Sequence, residues 1–140
     1  MNCAEYTEDY WELHLGGDTM TVQEIADVLD AQWLCCREEG NREIHSAFAS
    51  DMMSDVLAFV QEDTLLLTGL VNSQSIRTCE MLDVPCIVFV RGKDPRPDAL
   101  EMAEEIGLPA LKTAYSMYEA CGRLFAAGLK PVNLGDAYDS

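Results

Sequence analysis

Two short apolar runs separated by one helical segment constrain the fold of this chain more than any other feature. Residues 64–92, TLLLTGLVNSQSIRTCEMLDVPCIVFVRG, contain an apolar strand over residues 64–68, a helix over residues 75–83 and a second apolar strand over residues 86–90. Parallel neighbours need a crossover connection, and a sheet that is covered on both faces has nearly continuous apolar strands. The pattern therefore predicts two neighbouring parallel strands in a doubly covered sheet.

The rest of the chain continues this alternation of helices and strands. Capping residues and apolar stripes predict helices over residues 22–29, 55–60, 98–106 and 116–127. Apolar runs bounded by turn residues predict strands over residues 32–36, 44–49 and 109–113. Alternation of this kind is typical of α/β proteins, so we expect a three-layer sandwich in which helices cover a mostly parallel sheet of about five strands.

Local signals at the helices give more detailed expectations. Two capping boxes are predicted, one from Thr21 and Glu24 and the other from Ser116 and Glu119. The side chains expected to point inward from the last two helices are Leu100, Ala103, Ile106, Ala120, Cys121, Leu124 and Phe125.

The two ends of the chain are predicted to lie outside a single α/β domain over residues 21–129. Residues 1–20 carry five acidic residues and no Lys or Arg, and they show no sustained period, so we interpret them as an extension. Its Trp11, Leu13 and Leu15 could dock as a strand or contact a partner. Gly16-Gly17 before Met20 is what translation of a ribosome-binding site would yield, which makes Met20 an alternative start and the extension a non-native one. Residues 130–140 are predicted to be a loose or partner-dependent tail.

Length, composition and charge exclude several classes of protein. A chain of 140 residues with 49% hydrophobic content forms one domain with a real core. No window approaches the roughly 18 apolar residues of a membrane span, and the N-terminus lacks a signal peptide pattern, so we expect a cytoplasmic protein without membrane contact. The 25 acidic residues against 9 basic ones give a net charge of −16. Such a surface repels phosphate backbones, which disfavours nucleic acid as a partner.

Six cysteines are present without any CxxC spacing: Cys3, Cys35, Cys36, Cys79, Cys86 and Cys121. They fall mostly in predicted strands and helices, a pattern that favours buried reduced thiols over disulfides or a zinc site. A metal or iron-sulfur site that uses Cys35, Cys36, Cys79 or Cys86 stays open as a third hypothesis. The sequence names no cofactor.

The ends of the predicted central strands are the first place to look for function, because ligands of open α/β sheets bind beyond the carboxyl ends of the strands. Three of the nine basic residues, Arg91, Lys93 and Arg96, follow the second central strand. The candidate ligand-binding residues are Ser50, Asp51, Gly69, Asn72, Ser73, Arg91, Gly92 and Lys93.

Their expected mechanism combines backbone and side-chain donors. Amides at residues 69–73 and Gly92, helix N-termini near Asn72 and Pro97, and the charges of Arg91 and Lys93 would bind a small anionic group. The alternatives are that the basic residues form an ordinary solvated loop, and that Ser50 and Asp51 simply cap the following helix.

Catalytic motifs are missing from the sequence. It contains neither GxxxxGK[ST] nor GxSxG, and His14 and His45 have no evident nucleophile partner. We interpret His45 as a hydrogen-bonded core histidine in a strand. The sequence therefore predicts no catalytic residues and a non-enzymatic function.

The segments DTLLLTG, IRTCEMLDVPCIVFVRG and ALEMAEEIGLPALKTAYSMYEACGRL resemble the DRTGG domain family over about residues 20–129. The resemblance implies a fold like that of the N-terminal domain of HPr kinase/phosphorylase. It also implies a regulatory role, since the family accompanies CBS domains and some phosphotransacetylases. Stand-alone copies resemble small proteins encoded beside iron hydrogenases, and relatives often form homodimers.

The chain departs from the family pattern at its named motif. Residues 69–73, GLVNS, stand where the Asp-Arg pair would fall, and only Gly69 carries over. The departure implies a different ligand or none at that turn. At the second turn, Arg91-Gly92 keeps a single glycine.

Two functional hypotheses follow, of different classes. The first is a non-catalytic regulatory or sensor module that binds a small anionic metabolite or nucleotide at the strand ends and is linked to iron hydrogenase or redox metabolism. The alternative is an adaptor that contacts a redox enzyme or a signalling kinase through its acidic surface and the Trp11 segment, without a small ligand.

Overall fold

The computed structural model of the chain describes residues 19–134. Several residues named in the sequence analysis lie outside this range: Cys3, Trp11, Leu13, His14 and Leu15. The end of the predicted tail, residues 135–140, also lies outside it. Within residues 19–134, no helix is long and apolar enough to cross a membrane.

Helices and strands alternate along the described chain, as the sequence predicts. In chain order they are β1 (Met20–Thr21), α1 (Val22–Val28), β2 (Gln32–Cys35), a short 3-10 turn (Arg37–Glu39), β3 (Glu43–Ile44), β4 (Ser46–Ala49), α2 (Met53–Phe59), β5 (Thr64–Thr68), α3 (Ser73–Met81), β6 (Ile87–Phe89), α4 (Pro97–Ile106), β7 (Ala110–Lys112), α5 (Met117–Ala127) and β8 (Lys130–Pro131).

The main sheet is mostly parallel, which confirms the predicted fold class. Its six strands lie in the order β2-β7-β6-β5-β4-β8. Only β2 and β7 are antiparallel neighbours. The two central strands β5 and β6 pair in parallel, with Leu66 opposite Ile87 and Thr68 opposite Phe89. The strand, helix, strand unit predicted from the two apolar runs is therefore present.

Helices cover both faces of this sheet. Successive side chains of a strand point to opposite faces, and in β5 the buried Leu65 and Leu67 join one core while Leu66 joins the other. The first core includes Ile25 of α1 and Leu124 of α5. The second core contains residues of α2, α3 and α4. Two cores on either side of one sheet make the three-layer sandwich.

The capping box at Thr21 is confirmed. Its hydroxyl accepts the amide of Glu24 at 3.1 Å, and the Glu24 carboxylate accepts the amide of Thr21 at 3.2 Å. At α5 only one half of the box forms. Ser116 accepts the amide of Glu119 at 3.2 Å, but the Glu119 side chain turns to Arg123, whose Nε lies 2.9 Å away.

The predicted strand over residues 44–49 is interrupted at His45. Asp63 O accepts the amides of both His45 and Ser46, which separates β3 from β4. β3 then pairs with β1 in a small antiparallel sheet of its own. The prediction of a core histidine is wrong, because the His45 side chain is 50% exposed, with Nε2 at 3.7 Å from Asp63 Oδ2.

The prediction of a loose tail is wrong for its first residues. Lys130 and Pro131 form β8, which pairs in parallel with Ser46 and Ala47 at the edge of the sheet. The sheet therefore has six strands, where the sequence predicts about five. Gln61 Nε2 also donates to Asn133 O at 2.9 Å, which ties the next residues to the domain.

Two predicted apolar stripes are only partly correct. In α4 the fully buried residues are Ala99 and Ala103, whereas Leu100 and Ile106 are half-buried. In α5 Phe125 is 36% exposed instead of packing inward. In α4 it is therefore the small side chains of Ala99 and Ala103 that face the core.

The five described cysteines are free thiols, and all except Cys36 lie in or against the two cores. Cys79 and Cys86 are buried, and Cys35, Cys36 and Cys121 are half-buried. Burial raises the pKa of Cys79 to about 12, because the thiolate would lose its hydration. Among residues 19–134, no three His, Cys, Asp or Glu side chains are grouped as metal ligands.

Candidate functional site

The parallel strands bring four of the predicted residues to one edge of the sheet. β4, β5 and β6 end at Ala49, Thr68 and Phe89. Parallel strands end at the same edge, so Asp51, Gly69, Arg91 and Lys93 follow their strands into one region, which we call the carboxyl edge. These four residues contact one another through the interactions described next.

Asp51 joins the ends of β4 and β5. Its Oδ1 accepts the Gly69 amide at 2.6 Å and the Thr68 hydroxyl at 3.0 Å. Thr68 Oγ1 in turn accepts the Leu70 amide at 3.0 Å. The carboxylate thus fixes the first residues of the turn after β5.

The alternative interpretation, in which Ser50 and Asp51 cap the next helix, is wrong. The N-cap of α2 is Met52, and no side chain caps that helix. Ser50 Oγ instead accepts the Met52 amide at 3.0 Å, which closes a tight turn. The turn directs Asp51 back across the sheet edge towards Gly69, because Gly69 offers an amide within reach.

Arg91 and Gly92 adopt consecutive left-handed conformations, with φ of 62° and 65°. Two long-range hydrogen bonds fix them, from Arg91 N to Tyr115 O and from Gly92 N to Thr113 O, both at 2.8 Å. Bulky residues rarely adopt a positive φ without such support. The chain therefore turns sharply after β6.

This turn places the Arg91 guanidinium over Gly69. A Cβ atom at Gly69 would lie 2.8 Å from Arg91 Nη2 and 3.4 Å from both carboxylate oxygens of Asp51. Only a residue without a side chain leaves room for this approach. The Arg91 guanidinium and the Asp51 carboxylate thus both lie beside Gly69.

Lys93 binds the same turn from its other side, with Nζ donating to Gly69 O at 3.1 Å. Arg91 differs, since its guanidinium makes no hydrogen bond or ion pair with any residue of the described part of the chain. Further along the loop, Lys112 pairs with Asp94 at 2.6 Å. Arg91 is therefore a cation at the carboxyl edge whose guanidinium donors are all unused within the described residues.

Three backbone amides that the sequence suggested as anion donors have internal partners. Gly69 donates to Asp51, Leu70 to Thr68 and Gly92 to Thr113. For these three amides the predicted mechanism is wrong, because their donors are already used within the protein.

Asn72 and Ser73 lie at the start of α3. Asn72 is its N-cap and accepts the Gln74 amide at 3.0 Å. Arg96 N donates to Val71 O at 2.9 Å, which holds the loop after β6 against this helix start. No described hydrogen bond joins Asn72 or Ser73 to the Asp51, Gly69 and Arg91 group.

Asp51, Arg91 and Lys93 are exposed at the carboxyl edge. A cavity of about 120 Å³ lies elsewhere, between β4 and α5, and none of the eight predicted residues lines it. Sequence reasoning missed Thr68, whose buried hydroxyl connects Asp51 to Leu70. Its signal was a polar residue that ends an otherwise apolar strand. The carbonyls of Thr113 and Tyr115 carry no sequence signal.

Comparison with known protein families gives a clear result, because the family model described as "DRTGG domain" matches residues 24–127. The chain belongs to the DRTGG domain family. Membership, predicted from the resemblance of the sequence, is confirmed. No curated protein matches this DRTGG domain.

A solved structure shares the fold. It is the crystal structure of the CBS and DRTGG domains of the regulatory region of Clostridium perfringens pyrophosphatase, complexed with the activator diadenosine tetraphosphate. The TM-score is 0.59 at 17% sequence identity, and the match covers 79% of this chain. The chain spans 47% of that structure, about half its length. At this identity the likeness shows the fold alone.

Proposed function

We propose that this DRTGG domain is a non-catalytic regulatory module that binds a small anionic metabolite or nucleotide at the carboxyl edge. The observation that carries the proposal is the Arg91 guanidinium, which lies over Gly69 without a hydrogen-bonding partner in the described part of the chain. The Clostridium perfringens regulatory region, which shares the fold, is complexed with a nucleotide activator. That region contains CBS domains as well.

Charge supports an anionic ligand at this position. The whole chain carries a net charge of −16, so an anion meets repulsion over most of the surface. Arg91, Lys93 and Arg96 concentrate positive charge in this part of the chain. An arginine can bind a phosphate or carboxylate with two parallel hydrogen bonds, and charged hydrogen bonds are about twice as strong as neutral ones.

Asp51 favours a ligand that carries hydrogen-bond donors as well as an anionic group. Its Oδ2 has no donor among the described residues, and both carboxylate oxygens face the point above Gly69. A simple anion gains nothing from a carboxylate there. A nucleotide carries phosphates for Arg91 and also hydroxyl or amino donors for Asp51, so it satisfies both side chains at once. We therefore expect nucleotides to bind more tightly than inorganic phosphate.

Isothermal titration of the 140-residue protein with a panel of nucleotides, central metabolites and inorganic phosphate tests the proposal. Arg91→Ala should weaken the binding of the best ligand at least tenfold, because it removes a charged bidentate contact. Absence of binding across the panel, or unchanged affinity in Arg91→Ala, would overturn the proposed site.

Arg37→Ala is the matched control, because it removes the same charge from the opposite edge of the sheet. β2 runs antiparallel to β7, and Cys35 at its end pairs with Ala110 at the start of β7. The exposed Arg37 follows that end, away from the carboxyl edge. Its loss should leave affinity unchanged except for a small general charge effect, which added salt would screen.

The adaptor hypothesis has one observation in its favour. Leu57 of α2 and Met81 of α3 are 45% and 73% exposed, and these helices pack against each other. A redox enzyme or signalling kinase that covers them would explain their exposure, and a link to iron hydrogenases rests on the sequence resemblance alone. Co-purification with a larger complex that Met81→Glu disrupts, together with no small-ligand binding, would favour this function.

A further inference from the structure

The Asp51 carboxylate and the Arg91 guanidinium leave a short gap above Gly69. Asp51 reaches Gly69 from the end of β4, and Arg91 reaches it from the turn after β6. A Cβ at Gly69 would lie 2.8 Å from Arg91 Nη2 and 3.4 Å from both oxygens of Asp51, so these atoms are at most about 6 Å apart, the sum of the two distances. They nevertheless form no ion pair with each other. A gap of this size is on the scale of one sugar ring.

The two side chains require different groups from a ligand in this gap. The Arg91 guanidinium can only donate hydrogen bonds, so it binds an anionic acceptor. An ionised carboxylate can only accept them. Asp51 Oδ1 already accepts two, from Gly69 and Thr68, whereas Oδ2 has no donor among the described residues. The ligand must therefore present a hydroxyl or amino donor to Oδ2 and an anion to Arg91.

A ribose phosphate carries this pair of groups. Its ring has hydroxyl donors at one end and the phosphate at the other. In dinucleotide-binding α/β proteins, an acidic side chain binds the ribose hydroxyls beside a phosphate site at the carboxyl ends of the strands. The gap above Gly69 offers the same two contacts, with Asp51 Oδ2 for the hydroxyls and Arg91 for the phosphate.

Met52 extends the site on the β4 side. It is 60% exposed, although the next residue, Met53, is buried and supplies the contact with the core. Ser50 Oγ accepts the Met52 amide at 3.0 Å, which fixes Met52 in the same turn as Asp51. The strands lie side by side in the order β6-β5-β4, so a ligand that runs from Arg91 to Asp51 continues towards the β4 side and Met52. A thioether is a favourable contact for an aromatic ring.

We propose that the carboxyl edge binds a ribonucleoside monophosphate in one orientation, with its phosphate on Arg91, its ribose hydroxyls on Asp51 Oδ2 and its base on Met52. Phosphate, ribose and base follow one another in the ligand in the same order as these three side chains across the sheet. The assignment rests on the proposed function, because it concerns the same site, and it adds which part of the ligand each side chain binds. A thioether is only a weak acceptor, so the four common bases should bind with similar affinity.

Isothermal titration of the full chain with adenosine monophosphate and its 2′,3′-dideoxy analogue tests the ribose contact. The analogue keeps the phosphate and the base but cannot donate to Oδ2, so its affinity should be at least about tenfold lower. In Asp51→Asn the single amide oxygen is needed by Gly69 and Thr68, so the two ligands should bind with similar affinity. A loosened turn would weaken both ligands and keep their ratio. Equal affinities in the wild type, or an unchanged ratio in Asp51→Asn, overturn the ribose contact.

Ribose 5-phosphate, which lacks the base, tests the role of Met52. Met52→Ala should weaken the binding of adenosine monophosphate at least about threefold and leave the affinity for ribose 5-phosphate unchanged. Leu57→Ala removes another exposed apolar side chain further along α2 and should change neither affinity. Equal effects of Met52→Ala on the two ligands would overturn the base contact.

Failure of this assignment and failure of the proposed function give different results. If none of the four common ribonucleoside monophosphates binds, the assignment is wrong. Another anion of the panel that binds the wild type and loses affinity in Arg91→Ala would then still support the proposed function. If no anion of the panel binds, both are wrong.

Discussion

The carboxylate of Asp51 accepts the amide of Gly69 at 2.6 Å and so connects the end of β4 to the end of β5. The same oxygen accepts the hydroxyl of the buried Thr68. A buried donor left without its acceptor costs free energy, because it has lost water without gaining a partner. The hydrogen bonds of Asp51 therefore stabilise the turn over which Arg91 lies.

Asp51→Ala should destabilise the domain by about 1–3 kcal/mol, because it leaves the Gly69 amide and the Thr68 hydroxyl without their acceptor. Asp51→Asn keeps an acceptor oxygen without the charge and should cost less. Urea denaturation of the three proteins measures the free energy of unfolding. Glu101→Ala removes the same charge from an exposed site on α4 and should change stability by less than about 0.5 kcal/mol. Equal losses at the two positions would contradict the role of Asp51.

Gly69→Ala should displace the Arg91 side chain with little effect on the stability of the fold. The added Cβ would lie 2.8 Å from Arg91 Nη2, the mobile end of a long side chain. The φ of Gly69 lies outside the left-handed region, so alanine is compatible with the backbone. We expect a change of less than about 1 kcal/mol in the free energy of unfolding and a loss of ligand affinity like that of Arg91→Ala. Normal binding by a folded Gly69→Ala protein would mean that the position of Arg91 over Gly69 is unimportant.

Gly92→Ala and Gly122→Ala should shift stability in opposite directions. At both sites the new Cβ meets no atom within 4 Å. Packing is therefore the same at the two sites, and the backbone conformation determines the change in stability. Gly92 has φ of 65°, where a side chain costs about 1–2 kcal/mol. Gly122 lies within α5, where alanine gains about 1 kcal/mol over glycine. Thermal unfolding at low protein concentration measures both, and a stabilised Gly92→Ala protein would contradict the left-handed turn.

The sequence predicts the central part of this fold because its signals are local. The apolar runs of β5 and β6, the helix between them and the caps at Thr21 and Ser116 each depend on residues close together in the chain. Parallel pairing then follows from the need for a crossover. Local sequence was therefore sufficient for the layers of the sandwich.

The features that the sequence could not predict depend on distant partners. Lys130 and Pro131 have no strand signal and form β8 only because Ser46 and Ala47 offer an edge. Asp51 is a preferred helix cap by type, and its contact with Gly69 depends on how two strands align. The left-handed Arg91 is fixed by the carbonyl of Tyr115, which is 24 positions away (115 − 91). The position of the candidate site at the strand ends could be predicted from the sheet. The contacts within the site could not, because they depend on residues that are distant in the sequence.

Buried thiols should make the domain less stable at alkaline pH. Burial raises the pKa of Cys79 from 9.0 to about 12, and burial also raises the pKa of Cys86. Between pH 9 and about 12 the unfolded chain loses the Cys79 proton while the folded chain keeps it, so the free energy of unfolding falls as pH rises. The limiting slope is about 1.4 kcal/mol per pH unit for one thiol. Below pH 9 this contribution is complete and constant.

Cys79→Ala tests this dependence by comparison with the wild type in a reducing buffer. The variant loses some stability at neutral pH, because a buried sulfur is removed, but its free energy of unfolding should fall less steeply above pH 9. Tyrosines and lysines titrate in both proteins, so the difference between the two slopes isolates Cys79. Urea denaturation at intervals from pH 7 to about 11 measures these slopes. Parallel curves over that range would show that the Cys79 thiol ionises as readily in the folded protein as in the unfolded chain.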